Sequence, residues 1–220
     1  MGKHVSVFDD MAVTKLGLEL YFLESSFNQE PYYGIDFLCI GTDRATGDSL
    51  GPLVGEFMAP FITGASRLFG TLDKPVHAGN LTQVIEEAGW PAKGRMLIAV
   101  DACLGRASSV GNITIGQGSL LPGAGLSKNL PAVGDIYITG VVNARPGLPG
   151  TEGATLQSTR LSMVMRMARA ISRGILLGLF GMEDVELFSG NVPLQAHEPP
   201  DCYYCIDDPP SPLCQTRKEG

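Results

Sequence analysis

The sequence is short of charge, short of histidine and free of long apolar runs, and each shortage excludes something. Charged residues make up 18% of the 220, with 16 Lys and Arg against 23 Asp and Glu, for a net charge of −7. An acidic chain repels a phosphate backbone, and no cluster of Lys or Arg offsets this, so nucleic acid is not an expected partner. Arg160, Arg166, Arg169 and Arg173 recur at helical spacing and read as the solvated face of a helix. No apolar run approaches the roughly 20 residues that span a bilayer. The apolar stretch from Gly174 to Phe180 is short and suits a buried helix end. Met1 to Asp10 carries Asp9 and Asp10 and has no apolar signal core. The expectation is therefore a cytoplasmic protein without membrane contact. The three histidines are His4, His77 and His197, so none lies in the long interval between the last two.

What is present suits one globular domain. Hydrophobic residues account for 44%, and 220 residues can bury a substantial core but not two comfortable ones. The 28 glycines point to many turns and close backbone contacts. Five cysteines occur. Cys39 and Cys103 lie in apolar, strand-like surroundings and read as reduced core residues, whereas Cys202, Cys205 and Cys214 lie near the end of the chain.

Three regions follow from composition and pattern: an N-terminal arm over 1–34, an α/β domain over 35–189, and a Pro- and Cys-rich tail over 190–220. The arm holds one short helix at Thr14 to Leu23, ended by Glu30-Pro31 and Gly34. Residues 36–41 read as a buried strand whose continuous apolar run suits a parallel sheet covered on both faces. A helix follows from about Asp48 to Ile62, then a strand over Arg67 to Thr71. A second helix spans Asn80 to Ala88 with Asn80 as its N-cap. Residues 95–100 are the clearest strand. Shorter strands are expected at Asn112 to Ile115 and Asp135 to Val142, and one long amphipathic helix at Thr151 to Phe180. No internal repeat occurs. Alternating strands and helices predict a three-layer α/β/α sandwich with a mostly parallel sheet.

In such sheets the ligand site lies beyond the carboxyl ends of the strands. The first central strand runs into the loop Gly41 to Gly51, which carries Asp48, and the third runs straight into Asp101-Ala-Cys103. Asp48 and Asp101 thus stand on the functional rim as candidate catalytic residues. Amide hydrolysis needs a water to lose a proton and the leaving nitrogen to gain one. Two neighbouring carboxylates can divide these tasks, because repulsion raises one pKa while the other group stays ionised. The structural alternative is that Asp48 caps the following helix and Asp101 fixes a turn. His77 lies beyond the second strand and is a candidate to polarise substrate or bind a metal, or is a structural histidine. Asp43 and Arg44, in the rim loop, form an ion pair or position substrate. Gly123, Gly125 and Lys128 line the pocket or belong to a simple turn.

Two short motifs fit less well. The glycines of 41–51 lack the G-x-G-x-x-G spacing of a dinucleotide site. Gly47-Asp48-Ser49-Leu50 spells the nucleophile motif of GDSL-type esterases, with Ser49 as nucleophile. That family has its serine directly after the first strand and a late Asp-x-x-His, whereas here six residues separate Gly41 from Asp48 and Leu194 stands three before His197. Cys202-Tyr-Tyr-Cys205 with Cys214 and His197 has half of a zinc pattern, and without a second paired motif the thiols read as reduced groups on a loose tail.

Longer stretches carry a resemblance. Phe37-Leu-Cys-Ile-Gly-Thr-Asp-Arg-Ala-Thr-Gly-Asp-Ser-Leu-Gly-Pro-Leu-Val-Gly55 resembles the YyaC-like sporulation proteins. So do Gly70-Thr-Leu-Asp-Lys-Pro-Val-His-Ala-Gly-Asn-Leu81, Val100-Asp-Ala-Cys-Leu-Gly105, Gly116 to Gly125 and Gly134-Asp-Ile-Tyr-Ile-Thr-Gly140. The resemblance covers roughly 35–180 and leaves the arm and the tail outside. That family is similar, at a distance, to the spore germination protease and the hydrogenase maturation proteases. This implies the phosphorylase/hydrolase-like α/β/α fold and a peptidase-like domain over 35–189. Asp48-Ser-Leu-Gly-Pro52 matches one catalytic aspartate of the germination protease, and Asp101 in Val100-Asp-Ala102 matches the other. The maturation proteases hold a metal with acidic residues at these two places and a later histidine. A divalent metal at Asp48 and Asp101 is compatible with this, but the later histidine has no counterpart between His77 and His197. The implied function is a sporulation-associated peptidase acting on a protein or peptide, in the forespore or mother cell, with a homo-oligomer compatible. The alternatives are a non-catalytic binding or regulatory protein on the same fold, and the esterase.

Overall fold

Strand β4 (Arg95–Gly105) organises the sheet, because its side chains alternate between two cores. Met96, Ile98 and Val100 enter one apolar cluster, Leu97 and Ala99 the other. The computed structural model describes residues 2–27, 32–123 and 130–180. The remaining elements are β1 (Lys3–Ser6), α1 (Ala12–Phe27), β2 (Gly34–Cys39), α2 (Leu50–Met58), β3 (Arg67–Phe69), α3 (Leu81–Ala88), β5 (Asn112–Gln117), β6 (Ile136–Ala144), α4 (Glu152–Gln157) and α5 (Leu161–Phe180). A 3-10 turn over Thr46–Ser49 leads into α2.

The six strands form one sheet in the order β1-β5-β6-β4-β2-β3. β3, β2, β4 and β6 run parallel, and β5 is antiparallel to both β6 and β1. Helices α1, α2 and α5 cover one face, burying Leu16, Leu20, Leu50, Val54, Met167 and Ile171 against Phe37, Ile98 and Ile138. Helix α3 covers part of the other face, where Leu81 packs with Leu38, Leu97 and Val133. The three-layer α/β sandwich expected from the sequence is therefore the fold, with its second helical layer reduced to one short helix.

Four local expectations are corrected. Residues 3–27 are not an arm outside the domain. β1 pairs with β5 from Lys3↔Ile115 to Ser6↔Asn112, and α1 packs on α5 so closely that a Cβ at Gly17 would sit 2.8 Å from Leu177. The helix expected from Asp48 is a 3-10 turn followed by α2 from Leu50. Asn80 does not cap α3 with its side chain. Its Oδ1 accepts from the His77 amide (2.8 Å) and its Nδ2 donates to the Pro75 carbonyl (3.0 Å), bracing the preceding loop. The long helix over 151–180 is two helices, α4 and α5. Between them Thr159 Oγ1 donates to the Thr155 carbonyl (2.9 Å), and Asn143 Nδ2 donates to Thr159 Oγ1 (3.2 Å). Hydroxyls that bond backbone carbonyls in this way compete with helix continuation. The tail and its Cys and His motif lie outside the described residues.

One buried charge ties three strands together. Asp36 of β2 is 1% exposed. It accepts from Arg67 of β3 (Nε 2.8 Å, Nη2 2.6 Å) and from Nε of Arg95 of β4 at 3.0 Å. Burial pushes this carboxyl up, but the hydrogen bonds from Arg67 and Arg95 outweigh it and hold the pKa below the ordinary range. A depressed pKa means that the stabilisation is present above the ordinary carboxylate range and is lost as pH falls through the lower folded value. Asp36→Ala should cost about 3 kcal/mol, the low end for a broken buried pair because water reaches Arg67. Urea unfolding at neutral pH measures this, and a loss well under 1 kcal/mol would show that the cluster contributes little.

Candidate functional site

The two aspartates reach one cleft through two different local structures. Asp101 follows directly from the apolar run of β4, with Thr139 of β6 as its register partner. Alternation puts it on the α3 side of the sheet, in line with Leu97 and Ala99. Asp48 arrives from the opposite layer, in the 3-10 turn before α2. That turn lies hard against the end of β2. A Cβ on Gly41, whose φ is +144°, would stand 1.9 Å from the Asp48 carbonyl oxygen. A Cβ on Gly51 would stand 2.1 Å from the Ile40 carbonyl oxygen. Only glycine permits both approaches. The Thr42 amide donates to the Asp48 carbonyl at 3.1 Å and closes the loop.

Asp48 and Asp101 line a cleft of about 310 Å³, together with Cys103, Leu120, Gly123, Thr139, Arg145, Glu152 and others. Burial is the main force on both carboxyls. It raises the Asp48 pKa, against the Thr42 amide and the charge of His77, which pull it down. Asp101 is pushed up to about 8, first by burial and then by the charge of Asp48, while the amides of Ala102 and Gly123 oppose the rise. The Ala102 N–H donates to Asp101 Oδ1 at 2.8 Å. At neutral pH Asp101 thus favours the protonated form, and Asp48, half-buried, is the group that ionises first.

The other residues picked out in the sequence divide. Gly123 lines the cleft and donates to Asp101. Gly125 and Lys128 lie outside the described residues. His77 does not line the cleft. It borders a separate open cavity with Thr71, Lys74 and Asn80, and its Nδ1 accepts from the Gly79 amide at 3.1 Å. Its only reach toward the aspartates is the charge felt by Asp48. Asp43 and Arg44 are exposed, line no part of the cleft and make no ion pair with each other. Both sit on the outward limb of a loop whose inward limb carries Asp48.

Among the described residues the esterase geometry is not formed. Ser49 is buried, its Oγ donates to the Thr46 carbonyl at 2.7 Å, and it does not line the cleft. Neither aspartate is a mere fixture of local backbone. Asp48 makes no side-chain cap to α2, whose N-cap is Ser49, and Asp101 lies within a strand. Among the described residues no group of three or more His, Cys, Asp or Glu is placed to hold a metal ion. The pair alone does not supply a metal's ligand set. Cys103 is pushed up to about 11 by burial and by Asp101, so its thiol stays neutral and is a poor nucleophile.

Sequence reasoning missed Thr139, Arg145, Glu152, Leu120 and Leu156. Only Cys103 had a signal, standing two residues after Asp101 and hence on the same strand face. The rest arrive from β6, α4 and a loop by register and packing. No described helix is long and apolar enough to cross a membrane.

A family defined as a protein of unknown function, DUF1256, matches residues 7–174. The chain belongs to the DUF1256 family. The match begins at residue 7, so the family includes α1, which the resemblance over 35–180 left out. The uncharacterized protein YyaC of Bacillus subtilis strain 168 is 46% identical over 155 residues, which is 70% of this chain and 74% of that protein. Among solved structures, the NiFe hydrogenase maturation protease HycI from Thermococcus kodakarensis KOD1 is similar at a TM-score of 0.40 and 17% identity, over 70% of this chain and 98% of that one.

Asp101 gives a signed pH effect. A carboxyl kept neutral by the fold stabilises it fully below the ordinary carboxylate range, and that contribution is lost as pH rises through the folded pKa of about 8. Asp101→Asn cannot ionise. The melting temperature of the wild type should therefore fall relative to that variant between about pH 5 and about pH 9. Parallel melting curves across that window would show that Asp101 titrates normally.

Gly41→Ala checks the packing that places Asp48. It should destabilise the chain by more than about 1 kcal/mol, since both φ and the Asp48 contact reject a Cβ. Unchanged urea unfolding would contradict that tight approach.

Proposed function

We propose that this protein is a peptidase-like hydrolase that cuts a protein or peptide at the Asp48/Asp101 centre, in the service of sporulation. The observation that carries the reading is that Asp48 and Asp101, from opposite layers, line one cleft in which burial presses on both carboxyls and most on Asp101. Asp101 is held protonated by burial and by its neighbour, while Asp48 is half-buried and touched by the His77 charge. Unequal pKa values in one pair assign acid and base.

Asp48 as carboxylate takes a proton from water, and the water oxygen attacks the scissile carbonyl carbon. Asp101 as acid delivers its proton to the amide nitrogen as the C–N bond breaks. The products are a carboxylic acid and an amine. Asp48 then holds the proton and Asp101 the charge, and exchange with solvent resets the pair. Arg145, the one cation lining the cleft among the described residues, offsets part of the negative charge of Asp48 and Glu152. The likeness of Asp48-Ser-Leu-Gly-Pro52 and Val100-Asp-Ala102 to the two aspartate motifs of the germination protease supports the same roles, and the likeness to YyaC-like proteins supports the link to sporulation.

The test is cleavage of a randomised peptide library, read by mass spectrometry, with the wild type, Asp48→Asn and Asp101→Asn side by side. Each variant should lose at least about a hundredfold in rate, the usual contribution of a positioned acid or base, while keeping the wild-type circular dichroism. A bell-shaped rate profile whose falling limb lies near the Asp101 pKa of about 8 should accompany the wild-type activity. Cleavage at wild-type rate by either variant, or no cleavage by the wild type, would defeat the proposal.

A further inference from the structure

Beyond Val100 the sheet is one strand short. β2 and β4 pair from Gly34↔Arg95 to Cys39↔Val100 and then part. β4 continues through Asp101 to Gly105, paired on its other side with β6 as far as Ala144. On the β2 side no described strand accompanies it.

The cleft lies along that edge, which no described strand covers and on which two side chains already bond the backbone, Asp101 at the Ala102 amide and Arg145 at the Leu104 carbonyl. Ala102, Cys103 and Leu104 all line it. Consecutive strand residues point to opposite faces, and the register shifts between Cys103 and Leu104, so three in a row along one cavity fit a cavity that reaches round the strand's edge. Its walls come from both layers. Leu120 belongs to the core on the α3 side, and Leu156 of α4 packs against the core on the α2 and α5 side. The result is a slot that continues the plane of the sheet, begun at Asp101 and walled by apolar side chains. Arg145 stands farther along, where its Nη2 donates to the Leu104 carbonyl at 3.4 Å.

We infer that the substrate enters as an extended peptide segment that adds to the sheet beside Asp101–Gly105, in the place β2 leaves after Cys39. That its scissile amide then lies at Asp48 and Asp101 rests on the hydrolase reading above. Main-chain hydrogen bonds to an exposed edge are a general way to hold a peptide, with pockets selecting alternate side chains. The slot's Leu120, Leu121 and Leu156 suit apolar side chains. Its volume of about 310 Å³ is near the small end of ligand sites. Strands pack at about 4.8 Å in a sheet, whereas a helix with its side chains is about 10 Å across. The substrate segment is therefore an unfolded tail or loop, not a helix or a folded surface.

The probe is a set of peptides about ten residues long, enough to run past the whole edge at about 3.3 Å per residue. They are selected from a randomised library on the full chain carrying Asp101→Asn. Hydrogen exchange at 102–105 should slow at least about tenfold on binding. Methylating the peptide's amides one at a time should weaken binding at least about tenfold at every second position and little between. Leu121→Asp, on an exposed wall residue, should weaken binding with the melting temperature unchanged. Failure to select any peptide, unchanged exchange at 102–105, or methylation effects without a period of two would each overturn strand addition. Peptides that bind in this way and are never cut by the wild type would leave strand addition standing and the hydrolase reading refuted. Cleaved peptides with a flat methylation profile would do the reverse.

Discussion

The chain turns at the end of β2 by bringing backbones together where no Cβ fits. Gly41 meets the Asp48 carbonyl and Gly51 meets the Ile40 carbonyl. Because α2 begins there, β2 cannot run on beside β4. The same contact therefore ends one strand, starts a helix, swings Asp48 over the sheet and leaves the last residues of β4 without a neighbour. The cleft is the space that this early turn creates. Two glycines placed ten residues apart in sequence thus shape both the carboxyl pair and the slot beside it.

Among the described residues the fold buries Asp36 and Asp101 for opposite ends and half-buries Asp48. Asp36 lies between two guanidinium groups and remains ionised, joining β2, β3 and β4 at the far end of the sheet from the cleft. Asp101, on the same β4 strand as Arg95, has a carboxylate neighbour instead and is driven to the neutral form. Asp48 stands between these cases. Burial pushes all three carboxyls up, and the surrounding groups decide whether that push is reversed, as two guanidiniums do at Asp36 and nothing does at Asp101. The first arrangement holds the strands in register, and the second favours a proton in the cleft.

In the proposed reading, strand addition and acid–base chemistry depend on one another. A peptide laid against β4 brings its amide plane to a fixed height over the sheet, and Asp101 rises from that sheet at the start of that edge. Burial in the cleft is the main force that raises the Asp101 pKa. A substrate held by its main chain needs few specific side-chain pockets, and the apolar wall of the cleft consists mainly of leucines among the described residues.

The sequence by itself determined the α/β class, the central strands and the rim position of Asp48 and Asp101, because apolar periodicity and the order of residues along the chain are local properties. It also set Asp101 and Cys103 on one strand face. Local pattern misjudged α1, since an amphipathic segment near a terminus does not declare that β1 and α5 will hold it. It misjudged the α4–α5 break, which depends on Asn143 from a distant strand meeting Thr159. Asp43 and Arg44 were near Asp48 in sequence but not in the cleft, because the loop folds back at Gly41, and His77, which follows β3, borders a separate cavity. Only the tertiary structure decided that Arg145, Glu152, Leu120 and Leu156 meet the pair, and that Asp101 is neutral. Register, burial and the charge of a neighbour are relations between distant segments, and no window of sequence contains them.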